Sequence, residues 1–316
     1  MTSTSRPPTW KLLVAFAIIY FVWGSTFLAI RIGVHEVPPF LLAGIRFLSA
    51  GVILYVWMRA KGTGSPTGRE WASASLVAVL IFVLDYGLLF WAERRVPSGV
   101  AAVMMATIPL FMAIAEILFL RTQRLTLRLG TALLVGLGGV VVLVSRSLGL
   151  TEDPISHSGA IALVIAAGSW AIAAVLLRKL PLPASKPMSS AAQMLTGGVW
   201  LTMLSAALGE FHGFRVQSVS RNAWISLVYL IIAGSVIAYT AYVWLLHYES
   251  PTKVGTYAYV NPVVAVAVGY FFGGEAVGPR TILGTLLVLV SVVVITTTRA
   301  KKPVATWTDE APQPAE

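Results

Sequence analysis

Ten apolar runs, each near the ~20 residues that a helix needs to cross a bilayer, succeed one another from Leu12 almost to the end of this 316-residue chain. A hydrocarbon core offers no water to backbone N–H and C=O groups, so a run of this length must satisfy them internally as a helix. Bounding charges, prolines and glycines predict helices near 11–33, 39–59, 70–93, 97–120 and 126–145, then near 158–179, 187–208, 222–247, 251–273 and 279–299. Composition agrees: 57% of residues are apolar and 11% charged, with a mean hydropathy of +0.81, values foreign to a water-soluble core. The longest polar stretches between the runs are 62–69, 149–157 and 209–221, too short for a soluble domain. Function is therefore expected inside the membrane.

The formal net charge of +10 does not point to nucleic acid, because the basic residues are scattered between apolar runs and form no single polar face. Membrane orientation accounts for it better. In the ten-helix layout one side carries 15 of the 23 Lys and Arg residues and the other 7, with Arg46 inside a helix. This split predicts a multi-pass inner-membrane protein with both termini cytoplasmic. The first run, 12–30, outlasts the ~7–15 residues of a secretory h-region and no A-x-A site follows it, so it reads as a retained helix. Cysteine is absent, which excludes disulfides and thiolate chemistry. His35, His157, His212 and His247 are too dispersed for a metal site, and none of H-E-x-x-H, G-x-S-x-G or G-x-x-x-x-G-K-[ST] occurs. No catalytic residue, cofactor or metal is expected, and the chain reads as a non-enzyme.

The two halves echo one another. Val96-Pro97-Ser98 leads to Ile108-Pro109-Leu110, as Ser250-Pro251-Thr252 leads to Asn261-Pro262-Val263; Leu129-Gly130-Thr131 matches Leu283-Gly284-Thr285, and Trp23-Gly24-Ser25 loosely matches Ala167-Gly168-Ser169. A unit with an odd number of helices must re-enter the membrane from the opposite face, so the prediction is an all-α integral membrane protein of ten transmembrane helices built as two inverted five-helix repeats. Its parts are a cytoplasmic segment (1–10), a first repeat (11–146), a second repeat (158–299) and a disordered cytoplasmic tail (300–316). Two pseudo-equivalent units that exchange conformations generate outward and inward states, which makes transport the expected function.

A charge inside a helix costs at least ~2.5–3.5 kcal/mol on insertion scales, so Arg46 and Asp85 stand out. Their predicted depths match at about 10–12 Å from one membrane face, given 1.5 Å per residue. Matched depth predicts a pair, which serves either as a structural ion pair between helices or as a substrate or proton-coupling site. Glu116 is expected to reach the interface, and Gln193 occupies the place of Arg46 in the second half. Pro109 and Pro262, predicted about midway along helices four and nine, each release a backbone carbonyl and so serve as hinges or static kinks. Trp23, Ser25, Tyr86, Trp170, Tyr239, Tyr257 and Asn261 are the expected substrate-binding residues, since deep rings beside small or polar neighbours suit a partly apolar organic molecule. Trp10, Trp91, Trp224 and Trp244 fall near helix ends and read as an interfacial belt.

Trp23-Gly24-Ser25-Thr26, Pro38-Pro39 with Arg46-Phe47, Pro97-Ser98-Gly99, the run Tyr257-Ala258-Tyr259-Val260-Asn261-Pro262-Val263 and Gly274-Glu275 resemble the EamA family of the drug/metabolite transporter superfamily, over about residues 11–300. The likeness is greatest to its YedA-like branch. It implies a central cavity between two five-helix bundles, lined by helices one, three, four, six, eight and nine. The family's usual acidic residue after helix four is replaced here by Arg121-Thr122-Gln123-Arg124, whereas Glu275 fills the corresponding place in the second half. The expectation is a secondary active transporter, most simply an exporter, that moves small metabolites and amino-acid-like or drug-like amphipaths by alternating access. Its partners would be the lipid bilayer, a small-molecule substrate and a coupling ion, with a homodimer left open. A passive channel and a membrane-embedded enzyme are the rivals.

Overall fold

Helices begin where a side chain can take up the N–H groups that a first turn leaves unpaired. Thr67 and Glu70 form a reciprocal capping box before the third helix, Thr126 accepts from Leu129 N–H before the fifth, and Ser220 accepts from Ala223 N–H before the eighth. Pro39, Pro187 and Pro279 sit in first turns, where a missing N–H breaks no bond. The computed structural model describes residues 7–115, 117, 126–145, 156–177, 179–249, 254 and 256–299. Its helices are α1 (Thr9–Glu36), α2 (Pro39–Ala60), α3 (Gly68–Glu93), α4 (Ser98–Ala115), α5 (Leu127–Val144), α6 (His157–Leu176), α7 (Lys186–Ala207), α8 (221–248), α9 (Tyr257–Gly273) and α10 (Pro279–Arg299). No strand occurs among the described residues. Expectations on Glu116, on 121–124, on the 250–252 anchor and on the 300–316 tail lie outside them.

By length and composition, six helical stretches among the described residues are long and apolar enough to cross a membrane: α1, α2, α3, α4, 157–174 of α6 and 221–242 of α8. Shorter apolar helices cover 127–143, α9 and 279–295. At 22 residues α7 is as long as α2, but Lys186, Ser189, Ser190, Gln193 and Thr196 make it more polar.

Small residues set which helices pack together, because they let backbones approach without a side chain between them. α2 lies along α7, α5 along α10 and α4 along α9, while α1 packs on α8 and α3 on α6. The α2–α7 contact is reciprocal. A Cβ on Gly51 would come within 2.8 Å of the Leu195 backbone nitrogen, and one on Gly198 within 2.6 Å of the Leu48 nitrogen. At the α5–α10 contact Ser291 Oγ donates to the Ala132 carbonyl at 2.7 Å, and at α4–α9 Gly99 faces Val266.

Among the described residues, helices are locally widened into π-helix over Ile18–Val22 in α1, Val79–Gly87 in α3 and Leu230–Ile237 in α8. Such i→i+5 turns concentrate at functional sites. Each widened segment has a carbonyl satisfied by a side chain from a neighbouring helix. Ser169 of α6 donates to Leu80 O at 2.8 Å, and Trp23 Nε1 of α1 donates to Gly234 O at 2.9 Å. The Asn261 amide of α9, assigned with its nitrogen toward the surrounding acceptors, reaches Tyr20 O at 3.1 Å.

Pro109 behaves differently from a simple mid-helix kink. α4 is interrupted by a turn at Ala106 and Thr107, and Pro109 is the second residue of the segment Ile108–Ala115, where the ring restarts the helix instead of bending it. Thr107 Oγ1 takes up the Met104 carbonyl at 2.6 Å. Pro262 does lie inside a helix, at the sixth residue of α9.

Candidate functional site

Arg46 and the three widened turns organise the middle of the protein. The Arg46 side chain is buried at 3% exposure. It donates from Nε to Ser235 Oγ at 3.1 Å, and its guanidinium carbon lies 4.8, 5.5 and 5.8 Å from the ring centres of Phe47, Tyr86 and Phe90. Arg46 Nη1 is buried without a hydrogen-bond partner among the described residues.

The expected Arg46–Asp85 ion pair is not formed. Asp85 is buried, and its Oδ1 has no hydrogen-bond partner among the described residues. The reason is azimuth rather than depth. Successive side chains fan out around a helix axis, by about 100° in an α-helix and by somewhat less in the π segment that holds both residues, so with Tyr86 turned onto the guanidinium, Asp85 is turned away from it. The ion pair present among the described residues joins Arg31 Nε to Glu275 Oε1 at 3.3 Å. Glu275, turned inward after the left-handed Gly274 (φ 63°) that ends α9, also accepts Ser98 N–H at 2.7 Å and Gly99 N–H at 3.0 Å at the start of α4. Arg31 Nη1 closes the same corner on the Val96 carbonyl at 2.6 Å.

Glu93 was not singled out by sequence reasoning, since it ends an apolar run just before Arg94-Arg95 and reads as an interfacial residue. It is fully buried, and neither carboxyl oxygen has a hydrogen-bond partner among the described residues. Arg31, Arg46 and Glu275 lie within its electrostatic reach. The only available sequence signal was an acid inside Leu88-Leu89-Phe90-Trp91-Ala92-Glu93.

Most of the expected binding residues meet. Trp170 stands edge-on to Tyr86 with ring centres 6.2 Å apart, and Tyr86 lies under Arg46. Arg46 reaches Ser235, whose neighbour Gly234 receives the Trp23 indole N–H. Trp23 packs against Tyr257 at 5.0 Å and Tyr242 at 5.5 Å, and Tyr242 leads to Tyr239 at 6.3 Å. Tyr239 is hydrogen-bonded to Ser190 of α7. Tyr86, Tyr242 and Tyr257 are half-buried, with Tyr257 opening α9 and not lying midway along it. Asn261 is buried, with its amide directed at the carbonyls of Tyr20 and Tyr257.

Ser25 is set apart from this chain of contacts. It hydrogen-bonds Tyr229 Oη at 2.7 Å beside a groove of about 350 Å³ bordered by Leu28, Ile225, Val268 and Phe272. A second cavity, of about 280 Å³, lies at the α1–α2 corner among His35, Glu36, Arg94, Glu210, His212 and Arg215.

Comparison with known proteins adds four findings. The family model described as the EamA-like transporter family matches residues 10–145 and again 157–297. The chain is 36% identical over 285 residues to the inner membrane transporter YedA of Escherichia coli (strain K12), covering 89% of each protein. It is 26% identical over 291 residues to the chloroplastic WAT1-related protein At3g02690 of Arabidopsis thaliana, covering 90% of this chain and 69% of that one. Among solved structures, one crystal structure superposes with a TM-score of 0.59 at 20% identity, covering 94% of this chain and all of the other, a likeness of fold.

Proposed function

Because this chain belongs to the EamA-like transporter family, we propose that it is a secondary active transporter of the inner membrane that moves small amphipathic metabolites or drug-like compounds by alternating access. The observation that carries this reading is the contact chain Trp170–Tyr86–Arg46–Ser235 and Gly234–Trp23–Tyr257, which crosses both halves of the protein at its widened helices. Aromatic faces and hydrogen-bonding tips within a bundle suit a substrate that is part apolar and part polar.

The two inverted five-helix repeats, 11–146 and 158–299, belong to the same proposal. A two-fold exchange of helices one to five with six to ten sends the pairs α2–α7, α4–α9 and α5–α10 onto themselves and swaps α1–α8 with α3–α6, and each of these pairings occurs, beside others such as α1–α9 with α4–α6 that the same exchange relates. The Gly51–Leu195 and Gly198–Leu48 approaches are exchanged by the same operation. So are the caps Thr67 and Ser220 and the π segments of α3 and α8. The same family model matches each half. Cytoplasmic termini follow from the charge split, and outward transport follows the family resemblance.

The test is saturable transport of a compound panel by the purified chain in proteoliposomes, with and without a pH gradient. Flux that rises linearly with concentration and ignores the gradient would favour a passive channel, and product formation would favour an enzyme. Reporter fusions at Ala300 and within 149–157 should lie on opposite sides of the membrane; the same side for both would break the inverted repeat.

A further inference from the structure

Arg46 is held so that one edge of its guanidinium is committed and the other is not. Nε is tied to Ser235 at 3.1 Å, and the group lies against the rings of Phe47, Tyr86 and Phe90. Nη2 runs beside Gly234, where even a Cβ would come within 3.4 Å. Nη1 is buried and has no hydrogen-bond partner among the described residues. No carboxylate of a described residue lies within ion-pair distance of Arg46, the pair present being Arg31 with Glu275. A cation at this depth needs a partner, and a guanidinium anchored at one nitrogen on a ring-lined wall offers its remaining fork to a planar oxyanion.

The cavity at the α1–α2 corner is lined by charged groups of both signs. Its two acids are already engaged at helix starts. Glu36 accepts from Ser220 N–H at 2.5 Å and from Ser220 Oγ at 2.6 Å, while Glu210 accepts from Leu41 N–H at 2.9 Å and Phe40 N–H at 3.4 Å. Arg94, Arg215, His35 and His212 make up the rest of its polar lining, with Ser218. Arg94 and Arg215 balance Glu36 and Glu210 there, with the histidines neutral at pH 7, so the cavity is polar without a net charge.

Building on the transport reading above, we propose that Arg46 is the recognition point for the carboxylate of the transported substrate, which makes the substrate class small organic anions with an aromatic or similarly flat apolar body. The half-buried Tyr86 ring then receives the body while the guanidinium receives the charge, and the fully buried Phe47 and Phe90 rings back the guanidinium. Asp85 and Glu93, both buried with unpartnered carboxyl oxygens, are the groups that a cationic substrate would use instead, so the sign of the preferred charge decides between them.

Benzoate, benzylammonium and benzyl alcohol are matched in size and differ in charge. Titration calorimetry of the full chain in lipid nanodiscs should show benzoate binding more tightly than the other two by about tenfold or more. Arg46→Gln should remove that preference. Ser235→Ala, which keeps the charge but unties Nε, should weaken benzoate severalfold and decides the matter if Arg46→Gln fails to fold. Equal binding of the three, a preference for benzylammonium, no binding of benzoate, or benzoate affinity unchanged in the variants would each overturn the proposal. In proteoliposomes, saturable transport confined to neutral or cationic compounds would overturn the anion assignment alone. Absence of saturable transport for every compound would overturn the transport reading itself.

Discussion

The indole N–H of Trp23 donates to the carbonyl of Gly234 at 2.9 Å, joining the end of one π segment in α1 to the middle of another in α8. Gly234 is also packed against Thr26 and Arg46, so that a Cβ there would come within 2.9 Å of Thr26 Cγ2 and 3.4 Å of Arg46 Nη2. Gly234→Ala is expected to destabilise the protein by about 1–3 kcal/mol through overpacking, read as a fall in Tm of the purified chain. Trp23→Phe keeps a ring against Tyr257 but loses the hydrogen bond, for about 1 kcal/mol. Gly168→Ala is the control, because no atom lies within 4 Å of its added methyl. A Gly234→Ala protein that melts with the control would refute the close approach.

The reciprocal seam between α2 and α7 gives a second prediction. Gly198→Ala must push against the Leu48 backbone, 2.6 Å from the new Cβ, and Gly51→Ala against the Leu195 backbone at 2.8 Å. Backbone cannot step aside as a side-chain tip can, so each is expected to cost about 1–3 kcal/mol. Because both act on one seam, the double variant should depart from the sum of the singles. Thermal melting of the three proteins checks this, and strict additivity would show that the two approaches are independent.

Much of the architecture was readable because it depends on counting. Run length placed the helices within a few residues. Depth along a helix was readable for the same reason, which is why Arg46 and Asp85 were both correctly expected to be buried. Azimuth was not, since it depends on the accumulated rotation of the helix. The widened turn at Val79–Gly87 changes that rotation in α3, and Tyr86 rather than Asp85 meets the guanidinium. No residue type marks a π segment in advance; Ser169, Trp23 and Asn261 satisfy its carbonyls only once the helices have packed. Glu93 was missed because a helix-end acid is ordinarily solvated, whereas here the start of α4 and Glu275 lie over it.

Glu275 ties the turn after α9 to the first turn of α4 and to Arg31, a favourable place for a carboxylate at the positive end of a helix. The chain contains no cysteine, so single cysteines report accessibility without background. Ser98→Cys, at a fully buried position, should resist a membrane-impermeant thiol reagent. Adding Glu275→Gln or Arg31→Gln should make it reactive by loosening the corner. If Ser98→Cys stays equally protected in all three backgrounds, the ion pair does not hold this corner closed.

Asn261 separates a packing role from a substrate role. Its amide nitrogen faces Tyr20 O at 3.1 Å, in the π segment of α1, and Tyr257 O at 3.2 Å, one turn back in α9. A side chain occupied in this way holds two helices at a fixed distance, and the groups left for a ligand are its ring-bearing neighbours Trp23 and Tyr257. Asn261→Ala removes the tie and is expected to cost about 1 kcal/mol. Asn261→Asp should cost more, since it sets carboxyl oxygens against two carbonyl oxygens in a buried place. Melting temperatures should therefore fall in the order native, Ala, Asp, while Trp224→Phe, at 41% exposure near the start of α8, stays with the native chain. Transport per folded molecule should fall along with stability, because the α1–α9 spacing sets where Trp23 and Tyr257 meet. An Asn261→Ala protein that melts like the native chain yet carries no substrate would assign the amide to the substrate instead of to the helix pair.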